Sequence, residues 1–180
     1  MKKAASVLLA VVVLGVAQVA MAQNPAVNTT TIRAVKAESL SISAAVVPDF
    51  AINAGGAEST QAENLAITTI WNLTPSRSKV DVCAGASNLV PASALTNPDT
   101  ISASAVQISK DSGSSWATLN AGAGCNTSNV TVVNTYNLTA QTDRKSQTKV
   151  DTVQLKLAGL PANLQADEYT GTVTVYAYVQ

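Results

Sequence analysis

At the end of the chain, Tyr169-Thr-Gly-Thr-Val-Thr-Val-Tyr-Ala-Tyr-Val-Gln180 alternates strictly: Val173, Val175, Ala177 and Val179 hold one phase, Thr172, Thr174, Tyr176 and Tyr178 the other. A period of two with β-branched and aromatic residues puts one set on each face of a strand. The valines can then be buried, while the Thr and Tyr hydroxyls meet water or a neighbouring surface. One such strand is not stable alone; it needs a sheet whose inner face is covered. The rest of the chain must supply strands of the same kind, and it does.

Glu38 to Val47 alternates Leu40 and Ile42 with serines and stops at Pro48; Asn53 to Glu58, with its Gly pair, reads as a turn. Leu65, Ile67, Thr69, Trp71 and Leu73 share one phase of a second strand, with Trp71 in the core. After the break Thr74-Pro75-Ser76, Lys79 to Ala84 alternates again with Val80, Val82 and Ala84 inward, and the two runs predict a hairpin. Gly85 to Ala103 is rich in Ala, Ser, Asn and Pro, with a short helical turn near Pro91–Leu95. Val106–Ser109 and Ser115–Leu119 flank a further hairpin turn, and Val130–Leu138 is another strand. Gln141–Thr148 reads as a solvated loop before Val150–Leu157, where Val153, Leu155 and Leu157 point inward. Seven or eight short strands at such intervals, without a useful helical period, predict an all-β antiparallel β-sandwich.

The start of the chain reads differently. Met1-Lys2-Lys3, the apolar run Val7 to Ala17 and the small-residue site Ala20-Met21-Ala22 form a secretory signal peptide over 1–22, too short in its apolar part to span a membrane comfortably. Residues 23–34 are then a flexible mature N-terminus, and 35–180 a single domain. Loss of Lys2 and Lys3 from 11 basic residues leaves a small excess of the 11 acidic ones, so no basic surface suits nucleic acid. Export also places Cys83 and Cys125, the only two cysteines, where thiols oxidise. A disulfide between them is the natural pairing, with two buried free thiols as the rival reading.

Absences decide much of the chemistry. The chain contains no histidine, which excludes Ser-His-Asp and Cys-His machinery and every histidine metal site. No Gly-x-Ser-x-Gly elbow and no phosphate-cradling glycine loop occurs. The carboxylates are scattered, and the one adjacent pair, Asp167-Glu168, would face opposite sides of a strand. The chain therefore reads as non-catalytic, with no cofactor and no metal.

Two stretches resemble known motifs. Ser109-Lys-Asp-Ser-Gly-Ser-Ser-Trp116 resembles the Asp-box, a hairpin device of sialidases and other β-propellers. Asp111 is suited to cap backbone N–H groups across the turn, Gly113 to supply a positive φ, and Trp116 to pack beneath the hairpin. A single box within one domain is read as structural, with Ser109 as its first residue. Leu160-Pro161 followed by Tyr169-x-Gly171-x-Val173-x-Val175 is similar to the closing motif of the spore coat protein U family and of chaperone-usher pilin subunits. That resemblance implies an immunoglobulin-like fold, a periplasmic, cell-surface or extracellular location, and assembly with other copies or related surface subunits, often through a donated strand. The segment ahead of the first strand is a poor donor here, since neither Val27, Thr29, Thr31, Arg33 nor Ala26, Asn28, Thr30, Ile32 forms a strongly apolar row.

Tyr176 and Tyr178, on one face of the last strand, remain as candidate contacts for a glycan or a subunit; covering the outer sheet is their plainer role. The expectation is a non-catalytic structural or surface-assembly protein, pilin-like or coat-like, with a secreted carbohydrate- or protein-binding module as the alternative. After removal of the leader, no membrane span is expected.

Overall fold

The computed structural model describes residues 32–52, 60–122, 124, 125 and 131–180. The expected leader 1–22, most of the expected N-terminal segment 23–34 and the turn over 53–58 lie outside the described residues. Residues Ala37–Gln180 form one compact unit.

In chain order the strands are β1 Ser39–Ala44, β2 Glu63–Asn72, β3 Lys79–Ala86, β4 Val90–Pro91, β5 Val106–Ser109, β6 Ala117–Thr118, β7 Thr131–Asn137, β8 Gln147–Leu157, β9 Tyr169–Thr170 and β10 Val173–Val179. They form one five-stranded sheet in the order β1-β2-β8-β5-β6, a three-stranded sheet in the order β10-β3-β7, and a short ribbon of β4 with β9. All their pairings are antiparallel. The fold is an all-β sandwich, with helix among the described residues reduced to single turns at Ala103–Ala105 and Thr142–Arg144. Near Pro91–Leu95 the chain makes a turn in which the Thr96 and Asn97 N–H groups both donate to the Ser93 carbonyl, at 2.9 Å each.

The alternating residues face inward as their phase requires. Leu65 and Ile67 of β2, Val153, Leu155 and Leu157 of β8, and Val106 and Ile108 of β5 meet Val82, Ala84 and Ala86 of β3 and Val133 of β7 in one buried cluster. Each fully buried aliphatic side chain of this size stabilises by about 1.5–3 kcal/mol relative to exposure. Trp71, Val80 and Leu138 make a second, smaller cluster, with the Trp71 ring 5.4 Å from that of Tyr136 and its Nε1–H donating to the Asp143 carbonyl at 2.8 Å.

The hairpin expected between β2 and β3 does not form: β2 lies between β1 and β8, and β3 between β10 and β7. The connection at Thr74–Ser78 is an arch that carries the chain from one sheet to the other. Glu38 accepts from the Thr74 N–H at 2.8 Å and pairs with both Nε and Nη2 of Arg77. Arg144 donates to the carbonyls of Arg77, Leu138 and Ala140. These two charged side chains take up backbone groups that a hairpin ladder would otherwise have satisfied. The Arg77 and Thr74 hydrogen bonds hold the Glu38 carboxyl down at about 2.

The hairpin of β5 and β6 forms as expected. The Ser109 hydroxyl donates to Asp111 Oδ1 at 2.6 Å and accepts from the Gly113 N–H at 2.8 Å, while Asp111 accepts from the Ser115 N–H at 2.8 Å. Gly113 has φ +88°, and Lys156 Nζ sits 4.2 Å from the centre of the Trp116 ring. The turn is closed by its own hydrogen bonds.

Candidate functional site

The two cysteines form a disulfide, Cys83–Cys125, with Cα atoms 5.4 Å apart. It fastens the loop after β6 to the outer face of β3. On the same face an added Cβ at Gly85 would lie 3.0 Å from the Gly122 carbonyl oxygen and 3.3 Å from that of Asn120, so only glycine permits this approach. The Tyr176 hydroxyl donates to the same Gly122 carbonyl at 3.1 Å. Tyr178 is 41% exposed and lies in register with the buried Asp81, whose carboxylate is met by Lys79 at 2.9 Å, Thr135 at 2.7 Å and Gln180 at 3.2 Å. The tyrosines share a face as their phase predicted. Tyr176 nonetheless acts as a strut for the loop, which leaves Tyr178 alone as an exposed ring rather than half of a two-ring platform.

Between the sheets, Asp151 Oδ1 accepts from the Tyr136 hydroxyl at 2.7 Å and from Asn134 Nδ2 at 2.6 Å. Burial and the neighbouring Asp151 push the Tyr136 phenol well above its ordinary range, so it stays a donor. Asn134 also uses its Oδ1 to accept from the Thr135 N–H at 2.8 Å. Together with the register shift opposite Val82/Cys83, this blunts the outer edge of β7. Among the described residues, no three Cys, Asp or Glu side chains come together in a way that could hold a metal ion.

The opposite edge of the three-stranded sheet is different. Hydrogen bonds at Thr172 with Ser87 and at Gln180 with Lys79 set the ladder so that the even-numbered residues of β10 bond to β3. The N–H and C=O groups of Val173, Val175, Ala177 and Val179 therefore point to an edge that carries no strand among the described residues. β1, the edge strand of the other sheet, approaches β10 without joining its ladder.

At the start of β10 this seam opens into a cavity of about 720 Å³, between residues 44–52 on one side and 167–173 on the other. Its lining includes Leu65, Val106, Leu155 and Leu157 of the core and Leu89 packed against it. Asp49, Asp167 and Glu168 are among its lining residues, and no Lys or Arg lines it among the described residues. Asp167 is occupied by Asn97 Nδ2 at 3.1 Å and the Ser93 N–H at 3.2 Å, and the Asn97 bond leads in holding its carboxyl below the usual range. Asp49 and Glu168 make no side-chain ion pair or hydrogen bond among the described residues. Gly171 sits where an added Cβ would be 2.9 Å from Leu89 Cγ, so the chain enters β10 pressed against the cavity wall.

Sequence reasoning singled out Gly171, Val173 and the Asp167-Glu168 pair but not the cavity they border. The pair precedes β9, and both residues are among those lining the cavity. Asp49, Phe50 and Leu89 carried no signal, because loop residues have no period to reveal which side they present. Comparison with known proteins adds no relative: no family model matches the chain, and no match is found among curated proteins or solved structures.

Proposed function

We propose that this protein is a non-catalytic, exported structural subunit of a surface assembly, pilin-like or coat-like, that joins its neighbours through the seam beside β10. One observation carries the reading: among the described residues, a sandwich whose β7 edge is blunted leaves the start of β10 unpaired, next to an opening lined by core leucines. An unpaired edge beside an apolar-lined opening is the arrangement that strand addition fills, with main-chain bonds supplying affinity and alternate side chains supplying fit. The disulfide suits an oxidising compartment, and no described helix is long and apolar enough to cross a membrane. The signal-peptide pattern supplies the export route.

A secreted binding module is the second reading, resting on the exposed ring of Tyr178. Light scattering and electron microscopy of the protein purified from its export compartment separate the two. Assembly into concentration-dependent polymers is expected. A strictly monomeric protein at every concentration, binding a glycan in a manner abolished by Tyr178→Ala, would refute the assembly reading.

A further inference from the structure

The partner's chemistry is written in the rim of the seam. We infer that the cavity beside β10 takes an extended segment of another protein that alternates apolar side chains and carries a lysine or arginine next to the one entering the cavity; this rests on the strand-addition reading above and specifies its partner.

Three features converge on it. The cavity is lined by Leu65, Val106, Leu155 and Leu157 of the main core and by Leu89 packed against it, so its interior favours an aliphatic side chain over a polar one. The outward N–H and C=O groups of Val173 lie beside the opening, and those of Val175 continue the same edge, so an extended backbone satisfies them where a compact ligand would not. The rim then selects the sign of charge. Asp49, Asp167 and Glu168 line it with no described cation beside them, and two of the three have no side-chain partner among the described residues. A segment carrying Glu or Asp there would bring like charges together, whereas Arg or Lys would neutralise the rim.

The test uses the full chain purified from its export compartment and two blocked nonapeptides. Both alternate valine with threonine; one carries arginine at both ends, so that either strand direction brings a cation to the rim, and the other carries glutamate. Titration calorimetry at low salt is expected to show binding of the arginine peptide at least about 10-fold tighter than the glutamate peptide, with the ratio shrinking toward 1 in about 1 M salt. In Asp49→Asn/Glu168→Gln, two exposed positions whose side chains bond nothing among the described residues, the ratio should fall by several-fold without change in thermal transition. Amide exchange at Val173 and Val175 should slow on binding.

Equal affinity for the two peptides, or binding that leaves those amides unprotected, would overturn the inference while leaving surface assembly standing. Self-association of the protein alone that shuts out the arginine peptide would give the seam to a second copy and likewise overturn it. Tight, salt-sensitive binding of the arginine peptide by a protein that never polymerises would support the inference and count against the assembly reading instead.

Discussion

Replacing Cys83 and Cys125 together by alanine is expected to lower stability by about 4 kcal/mol. The bond links residues separated by 42 positions, and closing a loop of that size withholds about 13 cal/mol/K from the unfolded chain. The native loop keeps other fastenings: the Ala86 N–H donates to the Asn120 carbonyl at 3.1 Å and Tyr176 to Gly122 at 3.1 Å. The folded state should therefore change little, and the effect should act on the unfolded one. Unfolding Ala37–Gln180 releases about 0.3 kcal/mol/K at typical per-residue values, so the melting temperature should fall by about 13 °C. Urea unfolding followed by the fluorescence of buried Trp71 measures it, with calorimetry as a second reading. An unfolded chain freed of its crosslink also exposes more surface, so the denaturant slope should rise as the midpoint falls. A loss under about 1 kcal/mol with an unchanged slope would refute the reasoning, because it would mean that the crosslink does not restrict the unfolded ensemble.

Gly85→Ala should cost about 1–3 kcal/mol by urea midpoint, since the new methyl meets two backbone carbonyls that cannot turn aside. Asp111 has its carboxyl lowered to about 2, first by Ser109 and then by Ser115, so its contribution is present above the unfolded value near 3.8 and lost as pH falls through 2. Acid titration of thermal stability in wild type and Asp111→Asn should accordingly show the two curves converging only below about pH 4, and a difference that persists unchanged to pH 2 would contradict the carboxylate's role.

Much of the strand layout was legible because a half-buried sheet imposes a period of two on the residues themselves. β2 and β3 came out within about two residues of their observed bounds. The β5–β6 hairpin was legible for a different reason, since Ser109, Asp111 and Gly113 satisfy their turn locally and need no distant help. The arch at Thr74–Ser78 was not, because its hydrogen bonds come from Glu38 and Arg144, side chains 36 and 67 positions away from the residues they hold. The seam was legible only in part: Gly171 and Val173 stood out in the tail, while Asp49 and Leu89 reach the same place from loops.

By itself, the order of residues determined which segments extend, which side chains turn inward, that two cysteines can close a bond, and that histidine chemistry is absent. These follow from local sterics, periodicity and composition, and no neighbour can alter them. Only the tertiary structure decided that β2 and β3 part company, that Tyr176 braces a loop, and that Asp49, Asp167 and Glu168 line one cavity at the head of β10. Each of those depends on which strands lie side by side, and alternation is indifferent to the choice of neighbour, because every strand of the set offers the same two faces and the same ladder of backbone groups.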